Sequence, residues 1–163
     1  MKVCHCSRGK VFIFYCKDEH VSWDKYLEPV IDRVADRANA DISITIEDHH
    51  PKSFCIGGMY DETNHHITLY KEGIKEQCTQ TFKSLDWFLK YAAVICAHEL
   101  GHATDPMLQS LVHEYDSTEN EHVRKQILHK IECNAWDFAQ TILTDIHPQI
   151  IRDIRLQSLA MFN

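Results

Sequence analysis

Hydrophobic positions along this chain change period several times, and each change predicts an element. Lys10 to Cys16 (KVFIFYC) is a short run of β-branched and aromatic residues bounded by Gly9 and Asp18, the pattern of a buried strand. From about Ser22 to Ala38, Trp23, Tyr26, Leu27, Val30, Ile31 and Val34 recur at helical spacing, and Asn39 with Asp41 ends that helix. Asp41 to Glu47 then alternates strictly, with Ile42, Ile44 and Ile46 on one face and Ser43 and Thr45 on the other: a half-buried strand. Two further extended runs, Ser53 to Tyr60 and His65 to Tyr70, flank Asp61-Glu62-Thr63-Asn64, whose Asp and Asn favour a turn. They form a hairpin.

The remainder reads as helical. Leu85, Trp87, Phe88, Tyr91, Ala92, Ile95 and Cys96 predict a largely buried helix from about Ser84 to Thr104, with Ser84 or Thr81 as cap. Pro106 biases Asp105 out of the helical region and marks the end of that helix. Residues 106–117 read as a polar loop. Thr118-Glu119-Asn120-Glu121 is a capping box, followed by a stripe of Val123, Ile127, Ile131, Ala135, Phe138 and Ile142, so a helix is expected over about Glu119 to Thr144. Pro148 suits the first turn of a last helix carrying Ile150, Ile151, Ile154 and Leu159. The expectation is an α+β fold in a single domain spanning 1–163. Its small mixed sheet, with an antiparallel hairpin, packs on the buried helix, and further helices follow.

Composition narrows this picture. A chain of 163 residues that is 44% hydrophobic suits one domain with a core of its own. A formal charge of −7 argues against a nucleic-acid partner, because affinity for phosphates comes largely from Lys and Arg. Met1 to Lys10 lacks the apolar core of a signal peptide, and Val11 to Tyr15 is too short to span a bilayer. No membrane partner and a cytoplasmic location are expected. The 7 cysteines are an odd number and read as reduced thiols rather than a disulfide framework. Cys4-His5-Cys6 with Cys16 is a candidate second metal site, although C-x-C with a lone distant Cys matches no strong zinc spacing.

The candidate chemistry lies in His98-Glu99-Leu100-Gly101-His102, an HExxH motif entered from the apolar stretch Val94 to Ala97. On a helix the i, i+4 spacing brings both imidazoles to one face, where they can share a Zn²⁺ ion, and Glu99 lies beside the metal to act on its water. The competing reading is a half-buried helix with two hydrogen-bonded histidines. A catalytic zinc also needs a third protein ligand. Asp105 shares the helical face, but it lies seven residues from His98, roughly 10 Å along the axis. The pattern HExxHxxGxxH is not met, since Asp105 and Leu108 stand where Gly and a ligand would be. Glu132 is the better choice, because it sits mid-helix beside Leu128, Ala135 and Ala139, where an unpaired carboxylate is costly to desolvate. Against it stands a helix rotation that exposes Glu132, or pairing with Arg124 or Lys125. His113, His122 and His129 are reserve ligands.

His98-Glu99-Leu100-Gly101-His102, followed by Glu132-Cys133-Asn134-Ala135-Trp136-Asp137-Phe138-Ala139, resembles the gluzincin arrangement of the ImmA/IrrE-type metallopeptidases. In that family HE(L/I)GH precedes a helix reading E-x-x-A-x-x-F-A. Cys55 to Tyr60 and His65, Ile67 and Leu69 resemble the glycine-containing edge hairpin before a zincin helix, so the likeness covers about residues 53 to 143. Asn134 departs from the acidic residue common in such motifs. The resemblance implies a minimal zincin-like domain with His98, His102 and Glu132 on Zn²⁺. It also implies peptidase activity on a polypeptide substrate, a regulatory protein in that family.

The expected mechanism is hydrolysis of a peptide bond by a metal-activated water, with Glu99 as general base and then acid. A second function class is a non-catalytic binding or sensor module on the same fold; a third is a zinc hydrolase acting on another amide. Gly57-Gly58 would let an extended peptide approach the hairpin edge closely, unless the glycines serve a simple bulge. Tyr115, His113 and His129 are candidates for an oxyanion donor, whereas His49-His50 and His65-His66 read as surface pairs at strand ends.

Overall fold

The computed structural model describes residues 24–52 and 55–160. Among them the elements run α1 (Asp24–Ala38), β1 (Ser43–Glu47), β2 (Gly58–Asp61), β3 (His66–Tyr70), α2 (Lys71–Phe82), α3 (Phe88–Thr104), α4 (Leu108–Ser117), α5 (Glu121–Ile142) and α6 (Pro148–Leu159). The described chain is α+β, as expected. The strand expected at Lys10 to Cys16 and the Cys4, Cys6 and Cys16 group lie outside the described residues.

The sheet is mixed. Its order is β1-β3-β2, with β3 parallel to β1 and antiparallel to β2. Ile67 and Leu69 of the central strand are fully buried. In β1, Ile44 and Ile46 are half-buried while Ser43, Thr45 and Glu47 are exposed, which is the alternation read from the sequence. The exposed face is polar: His66 Nδ1 and Nε2 bond Ser43 Oγ at 2.6 Å and Thr45 Oγ1 at 2.9 Å. In the hairpin turn Asp61 Oδ1 accepts from the Thr63 and Asn64 amides, and its Oδ2 from Asn64 Nδ2. His65 leaves that turn with φ 48°.

Helix α3 is the hub. Every residue from Tyr91 to Gly101 is buried, so this helix is covered on all sides and needs no amphipathic stripe. It touches α1, α2, α5, α6, β2 and β3. Leu27, Ile31 and Val34 of α1, Trp136 and Ala139 of α5 and Ile150, Ile151 and Ile154 of α6 share its core.

Two helices were missed in the hydrophobic pattern. α2 buries only Gly73, Ile74 and Cys78, a stripe too narrow to stand out. A Cβ at Gly73 would lie 1.8 Å from the Ile56 carbonyl oxygen, so this glycine alone lets the first turn of α2 sit on the chain entering β2. α4 replaces the expected polar loop. Its Leu108, Leu111, Val112 and Tyr115 do follow helical spacing, and they join Ile127 and Ile131 of α5 in a second, smaller cluster. The cap of α5 is Asn120 rather than Thr118, because Asn120 Oδ1 accepts from the His122 and Val123 amides at 3.0 and 3.3 Å. α6 begins at Pro148, as expected. No helix among the described residues is long and apolar enough to cross a membrane.

Cys78 and Cys96 are fully buried, and Cys55 is exposed. Burial pushes both core thiols up, Cys78 to about 11, so neither has appreciable thiolate near neutrality. Native protein treated with a maleimide at pH 7 should therefore be labelled at Cys55 and spared at Cys78 and Cys96 until denaturant is added. Peptide mass mapping of the two samples checks this.

Candidate metal centre

The HExxH residues occupy the last turns of α3, which ends at Thr104 before extended Asp105. Burial of the preceding apolar turns fixes the rotation of the helix, and both imidazoles leave the face turned toward α5. There His98 Nε2 and His102 Nε2 are 3.1 Å apart. Glu132 of α5 completes a triangle, with Oε2 at 3.3 Å from His98 Nε2 and Oε1 at 3.6 Å from His102 Nε2. All three residues offer donor atoms within 4.8 Å of one another.

Ligand atoms about 2.0–2.1 Å from a tetrahedral zinc stand about 3.3 Å apart. The observed spacings of 3.1, 3.3 and 3.6 Å bracket that edge. Burial, with the neighbouring His98, pulls the His102 imidazole down to about 4. Burial acts to raise Glu132, but the hydrogen bond and charge from the two imidazoles outweigh it and hold this carboxyl below its ordinary value. The donor set is thus an ionised carboxylate and a neutral imidazole facing a second imidazole. Those are the protonation states a borderline divalent cation requires.

The α3–α5 distance that allows this is set by Gly101. A Cβ there would lie 2.5 Å from the Ala135 carbonyl oxygen and 2.7 Å from the Ala135 Cα. Backbone meets backbone. One turn toward the helix start lies Glu132, and one residue beyond Ala135 is Trp136, whose ring stacks on His98 at 4.3 Å between centroids and 29° between planes. His98 Nδ1 and Trp136 Nε1 are buried without a hydrogen-bonding partner, so the imidazole is oriented by an aromatic face instead of the more usual acceptor. Asn134 Nδ2 donates to Asp105 Oδ2 at 2.8 Å, tying the end of α3 to α5.

Glu99 lies against the sheet, within electrostatic reach of His98 and Glu132. A Cβ at Gly58 would sit 2.8 Å from Glu99 Oε1 and Cγ, and the Tyr60 backbone N–H donates to the Glu99 carboxylate. Burial pushes this carboxyl up to about 7. A cleft of about 800 Å³ runs past these groups, bounded by β2 on one side and by Trp136, Leu108 and the ends of α2 and α6 on others. A second cavity of about 270 Å³ adjoins it beyond His102.

No family model matches this chain, and no curated protein or solved structure matches it either. The assignment of residues therefore rests on geometry. His98, His102 and Glu132 lie together with Glu99 next to them, and neither Arg124 nor Lys125 pairs with Glu132: Arg124 reaches Thr118 O and Glu121. Asp105 stays out of the group, its two oxygens accepting from the Met107 amide and Asn134. His122 bonds Gln126 and His129 lies by Cys133, while Tyr115 carries the Arg124 guanidinium at 5.1 Å. None of these, nor His113, lines either cavity. Sequence reasoning missed Tyr60 and Trp136, whose neighbours depend on packing between distant segments.

Gly101→Ala should separate α3 from α5 at the ligand triangle. The expected loss of folding stability is about 1–3 kcal/mol, the range for overpacking a tight core contact. Metal affinity should fall about tenfold or more, while Lys130→Ala at an exposed position of α5 leaves both unchanged. Thermal denaturation and a competitive zinc titration measure the two effects.

Proposed function

We propose that this protein is a zinc-dependent peptidase of the gluzincin kind, with a zincin-like fold resembling the ImmA/IrrE-type metallopeptidases. One observation carries the reading: His98, His102 and Glu132 converge at the spacing of zinc ligands while Glu99 is held separately beside them. Further support comes from an edge strand packed on the HExxH helix, with the third donor on a later helix. A zinc ion on His98, His102 and Glu132 would supply Lewis acidity to a water and a carbonyl.

The chain's own groups account for the proton movements. Glu99 takes a proton from the attacking water and delivers it to the amine released when the C–N bond breaks. The Tyr60 N–H and the close approach of Gly58 hold its carboxylate in place for both transfers. β2 lies at the edge of the described sheet, and an extended polypeptide laid along it passes through the cleft beside Glu99. The cleft is open to solvent and runs beside the edge strand β2, which suits a polypeptide better than a small amide. Among the described residues no fourth His, Cys, Asp or Glu joins the metal-binding group, which favours catalysis over a closed structural site.

Protein loaded with one equivalent of zinc should cleave members of a proteome-derived peptide library, detected as new termini by mass spectrometry. A chelator should abolish cleavage and added zinc restore it. Glu99→Gln should keep the zinc, by elemental analysis, and lose cleavage by about 10²–10⁴-fold, the range for a positioned acid–base group. Equal cleavage by Glu99→Gln would refute the reading. His98→Ala, His102→Ala and Glu132→Ala should each lose the metal itself.

A further inference from the structure

The Tyr60 backbone holds Glu99, but its phenol takes no part in those proton movements. Successive side chains of a strand alternate faces, so Tyr60 leaves β2 on the same face as Gly58. That face meets α3, because a Cβ on Gly58 would strike Glu99 and Ile95. The Tyr60 side chain therefore emerges on the side of Glu99, one residue pair further along the strand. It lines both cavities, as does His102, so the residue lies where the two meet. Its hydroxyl bonds His65 Nδ1 at 2.9 Å, and the two rings meet edge to face at 5.9 Å.

Most other side-chain donors around the main cleft are engaged elsewhere or enclosed. Tyr91 lies seven residues before His98, about 10 Å along the helix axis. Gln77 and Gln80 of α2 donate to the Cys55 carbonyl and Glu76, Gln157 and Ser158 belong to α6, and the Trp136 Nε1 is buried. Tyr60 also has a link that these lack, since its own backbone N–H holds the Glu99 carboxylate. Base and phenol are thereby fixed relative to each other by one residue.

We propose that Tyr60 is a catalytic residue whose phenol O–H donates to the scissile carbonyl oxygen as negative charge develops there, and that His65 is a positioning residue whose Nδ1–H donates to the phenol oxygen, leaving the phenol proton for the carbonyl. This rests on the peptidase reading. No covalent step is added: the donated hydrogen bond strengthens as the carbonyl carbon becomes tetrahedral and relaxes when the C–N bond breaks. Such a contact acts in the transition state more than in the bound substrate, so it raises kcat more than it lowers KM. The αL backbone of His65 is one that Asn also tolerates, which gives a variant that removes the ring without straining the turn.

The test uses full-length zinc-loaded protein and the peptide it cleaves best in the library, together with a phosphinic peptide of matching sequence as a tetrahedral mimic. Tyr60→Phe should lower kcat by about 10²–10³-fold with KM changed less than about threefold, as expected for loss of one oxyanion donor. Zinc stoichiometry and melting temperature should be preserved. Binding of the phosphinic peptide should weaken in Tyr60→Phe, whereas binding of the uncleaved peptide, measured on a Glu99→Gln background, should not. His65→Asn should show a smaller loss in the same parameter, kcat. If wild type cleaves and binds the mimic but Tyr60→Phe matches it in both, the Tyr60 assignment alone is overturned. If wild type cleaves nothing in the library, the peptidase reading falls and Tyr60 with it. A Tyr60→Phe protein that loses zinc would show a structural role and also overturn the proposal.

Discussion

The contact between Gly101 and Ala135 is the constraint on which the site depends. At this crossing the backbones of α3 and α5 touch with no side chain between them. A carboxylate is a short arm, and Glu132 reaches two imidazoles on another helix only because the axes are this close. The same contact places Trp136 against His98, so one close approach both brings the third donor in and orients the first. Lost glycine flexibility is a cost in mid-helix, and here it is offset by the packing that the missing Cβ permits.

Around this crossing the fold separates two jobs. The face of α3 toward α5 carries the imidazoles, while the adjacent face carries Glu99 to the edge strand. Glu99 is 7% exposed, and burying a carboxylate is unfavourable unless something hydrogen-bonds it. The Tyr60 N–H provides that bond, and Gly58 leaves room for the carboxylate against the strand. Sheet and helix are thus joined at the group that moves protons. The small α4–α5 cluster of Leu108, Leu111, Ile127 and Ile131 stands apart from the main core and closes the cleft near His102.

Much of the secondary structure was legible because its signals are local. The alternation in Ser43 to Glu47, the Asx turn at Asp61, the Pro106 stop after α3 and the Pro148 start of α6 each follow from a few neighbouring residues. α2 escaped because its buried stripe is short and starts at a glycine, a residue that argues against a helix until its contact with Ile56 is known. α4 was visible in the spacing of Leu108, Leu111, Val112 and Tyr115, but polar neighbours masked it. At the start of α5, Thr118 and Asn120 both fit a capping pattern, and only the backbone path selects Asn120.

The candidate site divides along the same line. His98, Glu99 and His102 could be placed from sequence alone, because i, i+4 geometry is a property of the helix itself and the surrounding apolar residues bury that helix. Glu132 could be nominated but not chosen over helix rotation or an Arg124 or Lys125 partner, since its neighbours depend on the distance and rotation between two helices. Tyr60, His65 and Trp136 could not be nominated at all. Strand alternation assigns Tyr60 a face, yet what that face meets is decided by long-range packing of β2 on α3, which no local period encodes.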